Sequence, residues 1–379
     1  MNKRKLLFKY LIYDMLTAMV VWVLFMFFRK TVNDAQVFDN VNIFVPNFNY
    51  FSSLVIYPFT CLFVHYLSGF YLQPEKKTQG KIIFSTLITS AIISISIFFA
   101  LMLDDIVISY EYYYYSLLVL FGLQFLITYA ARSIVWIETR NNYRTKRWKI
   151  NTIIIGTGQK AAKMAEEIEK NSKKNHVIGF VAVDNTMSVD KDKILGHLPQ
   201  LENIIQANEV EEAIISLDNA DEQKLFNYIN ALYRYNIDIR FTPRVYEILT
   251  GSARIGAMGI NPLVNITQIN MADWEISVKR FLDIVVSAIA LILLIPTFIY
   301  FAIAIKRDSK GPVFYKQERI GRHGKPFNII KFRTMHQGAE NGTPKLSSAD
   351  DGRITKIGRT LRKYRIDELP QFGNIPGVK

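Results

Sequence analysis

The chain has 379 residues, half of them apolar and 13% aromatic, with a formal net charge of +13. Its single cysteine, Cys61, excludes an intramolecular disulfide and a cysteine-built metal site. Mean hydropathy is slightly positive, and the apolar residues are clustered in runs, which excludes an ordinary soluble protein.

Four apolar runs come first, at about residues 10–28, 50–71, 82–103 and 113–131. Each approaches the roughly 20 residues that a helix needs to cross the hydrocarbon. The first is too long for a cleavable signal, and no small-residue cleavage site follows it. Lys3, Arg4, Lys5 and Lys9 precede the first run, Lys76, Lys77 and Lys81 follow the second, and Arg132 to Lys149 follow the fourth. The loop after the third run carries Asp104, Asp105 and Glu111 and no cation. The positive-inside rule therefore places both ends of this block in the cytoplasm. Asp14, near the cytoplasmic end of the first run, is expected to be interfacial and hydrated.

An α/β pattern follows. Residues 151–155 read as a buried strand, Gly156-Thr-Gly158-Gln-Lys-Ala161 as a turn, and residues 162–170 as a helix. Strand-like runs recur at 177–183, 212–216 and 238–241, and the alternation predicts a Rossmann-like parallel sheet. Gly156, Gly158 and Ala161 have the spacing of a turn that brings a phosphate to a helix N-terminus. The acid that would hold a ribose belongs about 20 residues on, and the nearest candidate is Asp184. The turn is thus either a nucleotide site or a purely structural one.

A fifth apolar run, residues 281–305, is flanked by Lys279 and Arg280 on one side and Lys306, Arg307 and Lys310 on the other. A full crossing would put the most basic part of the chain outside, against the charge rule. Pro296 near its middle breaks the helical bond pattern. A helix that enters, bends at Pro296 and returns to the same face resolves the conflict.

Residues 306–365 hold sixteen Lys/Arg against five Asp/Glu, a patch that seeks anions. Basic residues alternate with Gly turns, and Asp367 and Glu368 close the run. One ionised carboxylate can attack phosphorus, and the other can hold a Mg²⁺. The surrounding Arg and Lys are expected to keep both ionised. Read from charge alone, the pair could equally be salt-bridge partners of Arg362 and Arg365. A position directly after a membrane segment favours a phosphate-bearing lipid over nucleic acid.

Lys279-Arg280, Asp283, Pro296, Gly311-Pro312-Val313, Gln317-Glu318-Arg319-Ile320-Gly321, Lys331-Phe332-Arg333-Thr334-Met335 and Asp367-Glu368-Leu369-Pro370-Gln371 follow one another in order. In this the chain resembles the bacterial sugar transferases, specifically the long polyprenyl glycosylphosphotransferases (monotopic phosphoglycosyltransferases). The resemblance implies three parts: a bundle of four transmembrane helices over 1–137, an α/β Rossmann-like (CoA-binding-like) domain over 138–265, and a partial α+β catalytic domain with a re-entrant membrane helix over 266–379. It implies transfer of a sugar-1-phosphate from a UDP-sugar to undecaprenyl phosphate in the bacterial inner membrane, starting capsule, exopolysaccharide or O-antigen synthesis. Asp367 would be the nucleophile and Glu368 the Mg²⁺ ligand. Arg362, Lys331, Arg333 and Arg319 would contact phosphate. No cofactor is required in the Rossmann-like part for transfer, and a homo-oligomer is compatible with the family.

The family continues beyond its Asp-Glu-Leu-Pro-Gln run with an aromatic-Asn and a Gly-Pro-Arg-Pro motif. Here Phe372-Gly373-Asn374 matches approximately and Gly-Pro-Arg-Pro does not occur. A C-terminally truncated transferase with low activity is the resulting expectation. Two other readings follow from the residues: a non-catalytic nucleotide-binding scaffold for polysaccharide assembly, and a dehydratase or epimerase. The latter would need a Tyr-x-x-x-Lys pair, which neither Tyr228 nor Tyr233 provides.

Overall fold

Twenty-six residues without Pro or Gly form the first helix, α1 (Lys3–Phe28), in the computed structural model. The structure describes residues 3–34, 48–104, 110–183, 188–218, 222–241, 255–256, 263–265, 271–321, 324–339, 351–375 and 377. They fall into two units: Met1–Tyr228 with Ile237–Val278, and Ile229–Asn236 with Lys279–Lys379.

The first unit begins with α1, α2 (Phe48–Leu67), α3 (Gln79–Asp104) and α4 (Tyr110–Arg144). Among the described residues, stretches of α1, α3 and α4 are long and apolar enough to cross a membrane, whereas Phe51–Leu67 of α2 is shorter. The helices pack on an apolar core of Ala18, Val21, Trp22, Phe25, Tyr57, Cys61, Ile93 and Leu120. Their outer faces expose Phe8, Ile12, Val55, Phe84, Ile88 and Leu118, as helices bathed in lipid do. The chain is therefore membrane-associated.

Asp14 departs from the expectation of a hydrated interfacial group. It is buried, and its carboxylate accepts from Arg132 Nε at 2.9 Å and Nη2 at 2.7 Å. Tyr71 donates its hydroxyl to Asp14 at 2.8 Å, and Arg132 Nη1 donates to Thr86 at 2.9 Å. The Arg132 guanidinium also lies 3.7 Å from the Phe70 ring centroid. Arg132 reads in sequence as a loop cation following the fourth run. Helix α4 instead continues past it to Arg144 and turns it inward, where it neutralises Asp14.

The α/β part follows as β1 (Ile150–Ile155), α5 (Gln159–Asn171), β2 (Asn175–Ala182), β3 (Ile194–His197), α6 (Leu201–Ala207), β4 (Glu212–Ile215), α7 (Glu222–Tyr233), β5 (Asp238–Phe241), β6 (Ile255–Gly256) and β7 (Leu263–Asn265). The sheet order is β3-β2-β1-β4-β5-β7-β6. Its first five strands are parallel, and β7 and β6 are antiparallel additions at one edge. The predicted parallel α/β sheet is thus present. β3, β6 and β7, of two to four residues, lie outside the strand-like runs read from the sequence. Asp184 lies outside the described residues.

Ion pairs join the helical block to this sheet. Lys3 meets Glu211 at 3.0 Å and Lys76 meets Asp238 at 2.6 Å. Lys174 reaches over the Tyr143 ring, 5.3 Å from its centroid. The cations that marked one side of the membrane in sequence therefore face the ends of the sheet where β4 and β5 begin.

The long helix α8 (Asp273–Asp308) begins in the first unit and runs from Lys279 on in the second; it contains Pro296 and is bent by 58° between Asp273–Leu293 and Ile295–Asp308. Proline supplies no N–H to the turn before it and its ring crowds the preceding carbonyl, which accounts for a sharp kink here. Leu282, Val286, Ile289, Leu293, Ile299 and Tyr300 are exposed along it. A hairpin of β8 (Phe314–Ile320) and β9 (Pro326–Phe332), helix α9 (Lys356–Lys363) and a 3₁₀ helix (Ile366–Gly373) complete the unit. Its core is Ile305, Phe332 and Leu361, joined by Phe298, Phe301, Val313, Ile357 and Ile366.

Candidate active site

Strand alternation explains how the Lys331-to-Met335 run is used. Successive side chains point to opposite faces, so Phe332 enters the core while Lys331 and Arg333 turn to the other face. Phe332 stacks on Phe314 at 5.3 Å and meets Phe298 edge-on at 5.5 Å. Helix α9 begins at Thr355, whose hydroxyl accepts from the Gly358 N–H at 2.9 Å, and Asp308 accepts from the Ile357 N–H at 2.9 Å. These are N-terminal caps satisfying orphan helix donors. Arg365 then adopts a left-handed conformation, φ +57°, between α9 and the 3₁₀ helix that carries Asp367 and Glu368.

These elements enclose a cavity of about 760 Å³ whose lining includes Arg319, Lys331, Arg333, Arg362, Arg365, Asp367 and Glu368. All six catalytic and phosphate-contact residues expected from the sequence thus border one space. Lys331 donates to Glu368 at 2.9 Å, and Arg365 stands 3.7 Å from the other oxygen. Arg362 donates through Nε to the Thr334 hydroxyl at 2.9 Å. Arg319 is exposed and reaches Gln317 at 3.2 Å.

Arg333 is buried differently from the others. Its guanidinium donates to the carbonyls of Lys310 and Ser309 and to the Ser309 hydroxyl, each at 2.8 Å. It borders the cavity while tying the loop after α8 to β9. This explains Gly311: its φ is +129°, and a Cβ there would lie 1.9 Å from Arg333 Nη1. The Gly-Pro-Val motif is in part the space that this guanidinium occupies.

The two carboxylates differ in environment. Burial first, and then the neighbouring Glu368 charge, hold Asp367 above the usual aspartate range, against the pull of Lys331 and Arg362. Glu368 is held below its usual range, chiefly by the Lys331 hydrogen bond. The cations thus favour the ionised form of Glu368 more than that of Asp367, whose partial burial opposes it. Asp367 Oδ1 is buried without a hydrogen-bond partner, a state that costs free energy unless a ligand completes it. Among the described residues no three of His, Cys, Asp and Glu converge on a metal position. The donor set still fits Mg²⁺, which is commonly held by one or two carboxylates with water and substrate phosphate.

The α/β turn is occupied from within. Asp218 follows β4, and its carboxylate accepts from the N–H groups of Gln159 at 2.9 Å and Lys160 at 2.8 Å. It therefore takes the place at the start of α5 where a dinucleotide phosphate would lie. A Cβ at Gly158 would meet Asp218 Oδ2 at 1.9 Å, Gly156 has φ +124°, and Ala161 is buried under the sheet. The glycines are thus needed for an internal carboxylate as much as for any ligand. Asp218 left no mark in the motif; the available signal was an acid just beyond the carboxyl end of the strand next to β1.

Comparison with known proteins finds two family models and several curated relatives. Residues 274–376 match the model described as bacterial sugar transferase. Residues 67–243 match a CoA-binding domain model. A UDP-glucose:undecaprenyl-phosphate glucose-1-phosphate transferase of Xanthomonas campestris is 26% identical over 246 residues, 62% of this chain and 51% of the relative. One of the same description from Klebsiella pneumoniae is 30% identical over 49% of this chain and 40% of its own length. A putative undecaprenyl-phosphate N-acetylgalactosaminyl 1-phosphate transferase of Bacillus subtilis is 40% identical over 26% of this chain and 56% of its own. The chain spans about half the length or less of the first two of these relatives. The segment that matches the sugar transferase model is the part that holds the cavity.

Proposed function

We propose that the protein transfers a sugar-1-phosphate from a UDP-sugar to undecaprenyl phosphate, as the names of its relatives describe for them. The carrying observation is the Asp367–Glu368 pair in a cavity ringed by Arg319, Lys331, Arg362 and Arg365, within the sugar transferase segment. A nucleotide diphosphate sugar brings charge that such a ring binds. In the reading adopted, an ionised Asp367 oxygen attacks the sugar-bearing phosphorus. A phosphorus–oxygen bond forms as the bond to UMP breaks, and UMP leaves with the electron pair. The acceptor phosphate oxygen then attacks the same phosphorus and returns Asp367 as a free carboxylate. Lys331 and Arg362 hold phosphate oxygens in place, and Lys331 also orients Glu368. A Mg²⁺ held by Glu368 would supply neutralisation of diphosphate charge.

The same reading makes the bent α8 a re-entrant helix, with both ends at the cytoplasmic face of the inner membrane, and counts the preceding block as four crossings. The charge distribution and the 58° bend support it. The nucleotide-binding scaffold is the weaker reading, because Asp218 fills the position on which it depends.

The test is UMP release by the chain in nanodiscs with undecaprenyl phosphate, Mg²⁺ and a panel of UDP-sugars. Release with one sugar, lost in Asp367→Ala, is expected. Release that survives Asp367→Ala would remove Asp367 from the chemistry. Should the 379-residue chain be silent, a fusion to the C-terminal part of a relative is assayed alongside, and silence of both defeats the reading.

A further inference from the structure

The 3₁₀ helix that carries the carboxylate pair ends at Gly373, and the next two residues are fastened. Asn374 Oδ1 accepts from the Ile330 N–H at 3.0 Å, and its Nδ2 donates to the Asn328 carbonyl at 2.7 Å. Arg280 of α8 donates to the Ile375 carbonyl at 2.9 Å.

The strand edge explains the arrangement. Arg333 N–H bonds the Val313 carbonyl and Gly321 N–H bonds the Lys325 carbonyl. Odd-numbered residues along β9 therefore turn their backbone groups to β8. Antiparallel pairing alternates, so Asn328 and Ile330 present theirs to the open edge. An open edge offers a donor and an acceptor to whatever can match them. A primary amide carries one of each side by side, and Asn374 supplies both from a single side chain.

We propose that Asn374 is a positioning residue: by completing one rung of a β-ladder on the free edge of β9, it fixes the register of the Asp367–Glu368 segment against the strand that carries Lys331. The proposal rests on the transferase reading for its catalytic consequence. Beside the Arg280 bond to Ile375 and the Lys331 and Arg365 contacts of Glu368, the segment is anchored by apolar contact, with Ile366 on the Phe332 cluster and Pro370 buried. Apolar contacts are non-directional and tolerate sliding, whereas two hydrogen bonds to alternate backbone groups admit one register. Ile330 immediately precedes Lys331, so a slip at this rung moves the 2.9 Å contact between Lys331 and Glu368.

The experiment compares the full chain in nanodiscs with Asn374→Leu, which keeps the volume and loses both bonds, and with Asn374→Gln, which keeps the amide one methylene further out. Two readouts are taken: hydrogen exchange of the Ile330 amide, and kcat and KM for the UDP-sugar. In Asn374→Leu the Ile330 amide exchanges faster, and kcat falls by about 100-fold, the size associated with an ångström-scale misplacement, while KM and the thermal midpoint stay near wild type. Asn374→Gln recovers part of both. Unchanged Ile330 exchange in Asn374→Leu overturns the clamp. Faster exchange with unchanged kcat, or a loss confined to KM, overturns the positioning role. Failure of the transferase reading looks different: wild type and Asp367→Ala are then alike in UMP release, the catalytic half of the proposal falls with it, and the exchange result still decides the clamp.

Discussion

Lys331 is the residue on which both carboxylates of the site depend. It lowers the proton affinity of Asp367 and, more directly, of Glu368. Asp367 nevertheless stays above the usual aspartate range, so the acid limb of the UMP-release profile is expected above the range of an exposed aspartate. The sign follows from the form required: attack needs ionised Asp367, and a raised proton affinity delays ionisation to higher pH. Lys331→Met removes an attraction for the ionised form, so the acid limb moves to still higher pH. The limb is read rather than the amplitude, because the same substitution also weakens phosphate contact. A limb that stays in place or moves down would show that Lys331 does not set the charge of Asp367. Arg365, Arg362 and Glu368 are the other charges facing this group, and they remain in the variant.

At the scale of an element, helix α5 shows how a motif can be kept while its ligand position is filled. Its first amides are satisfied by Asp218 rather than left for a phosphate. Asp218→Ala returns those donors to water, a loss comparable with removing a helix cap, about 1 kcal/mol. The expected result is a lower unfolding midpoint for the α/β part, with no measurable affinity for dinucleotides in the wild-type chain. Wild-type binding of a dinucleotide with affinity equal to that of Asp218→Ala would show that Asp218 does not obstruct the turn. The β8–β9 hairpin shows the converse economy. Two strands alone are marginal in water, and this pair is held by Phe332 in the core on one side and by Asn374 on its edge.

At the scale of the whole molecule, the membrane reading turns on the two flanks of α8. Lys279→Cys and Lys310→Cys, each probed with a membrane-impermeant maleimide in oriented vesicles, are expected to react from the same side. Reaction from opposite sides would make α8 an ordinary kinked crossing. The native Cys61 is buried in the bundle and gives a low background. That bundle is held partly by a charge pair rather than by apolar contact alone. Asp14 and Arg132 are both fully enclosed, where breaking such a pair from one side typically costs about 3–5 kcal/mol. Their hydrogen bonds also engage Tyr71 and Thr86, so one polar centre links α1, α3, α4 and the segment after α2.

The sequence by itself determined the apolar helices, the parallel α/β pattern, the break at Pro296 and the gathering of basic residues ahead of Asp367-Glu368. Each of these rests on local periodicity, on a residue's own backbone restriction, or on charge, all of which act over a few residues. Only the tertiary structure decided that Arg132 turns inward to Asp14, that Asp218 occupies the glycine turn, and that Arg333 is consumed by the Ser309–Lys310 backbone. It also decided that Asp367 and Glu368, adjacent in the chain, have their proton affinities shifted in opposite directions. These outcomes depend on which distant group arrives at a given atom and on how much water remains there, neither of which is written in the order of the residues.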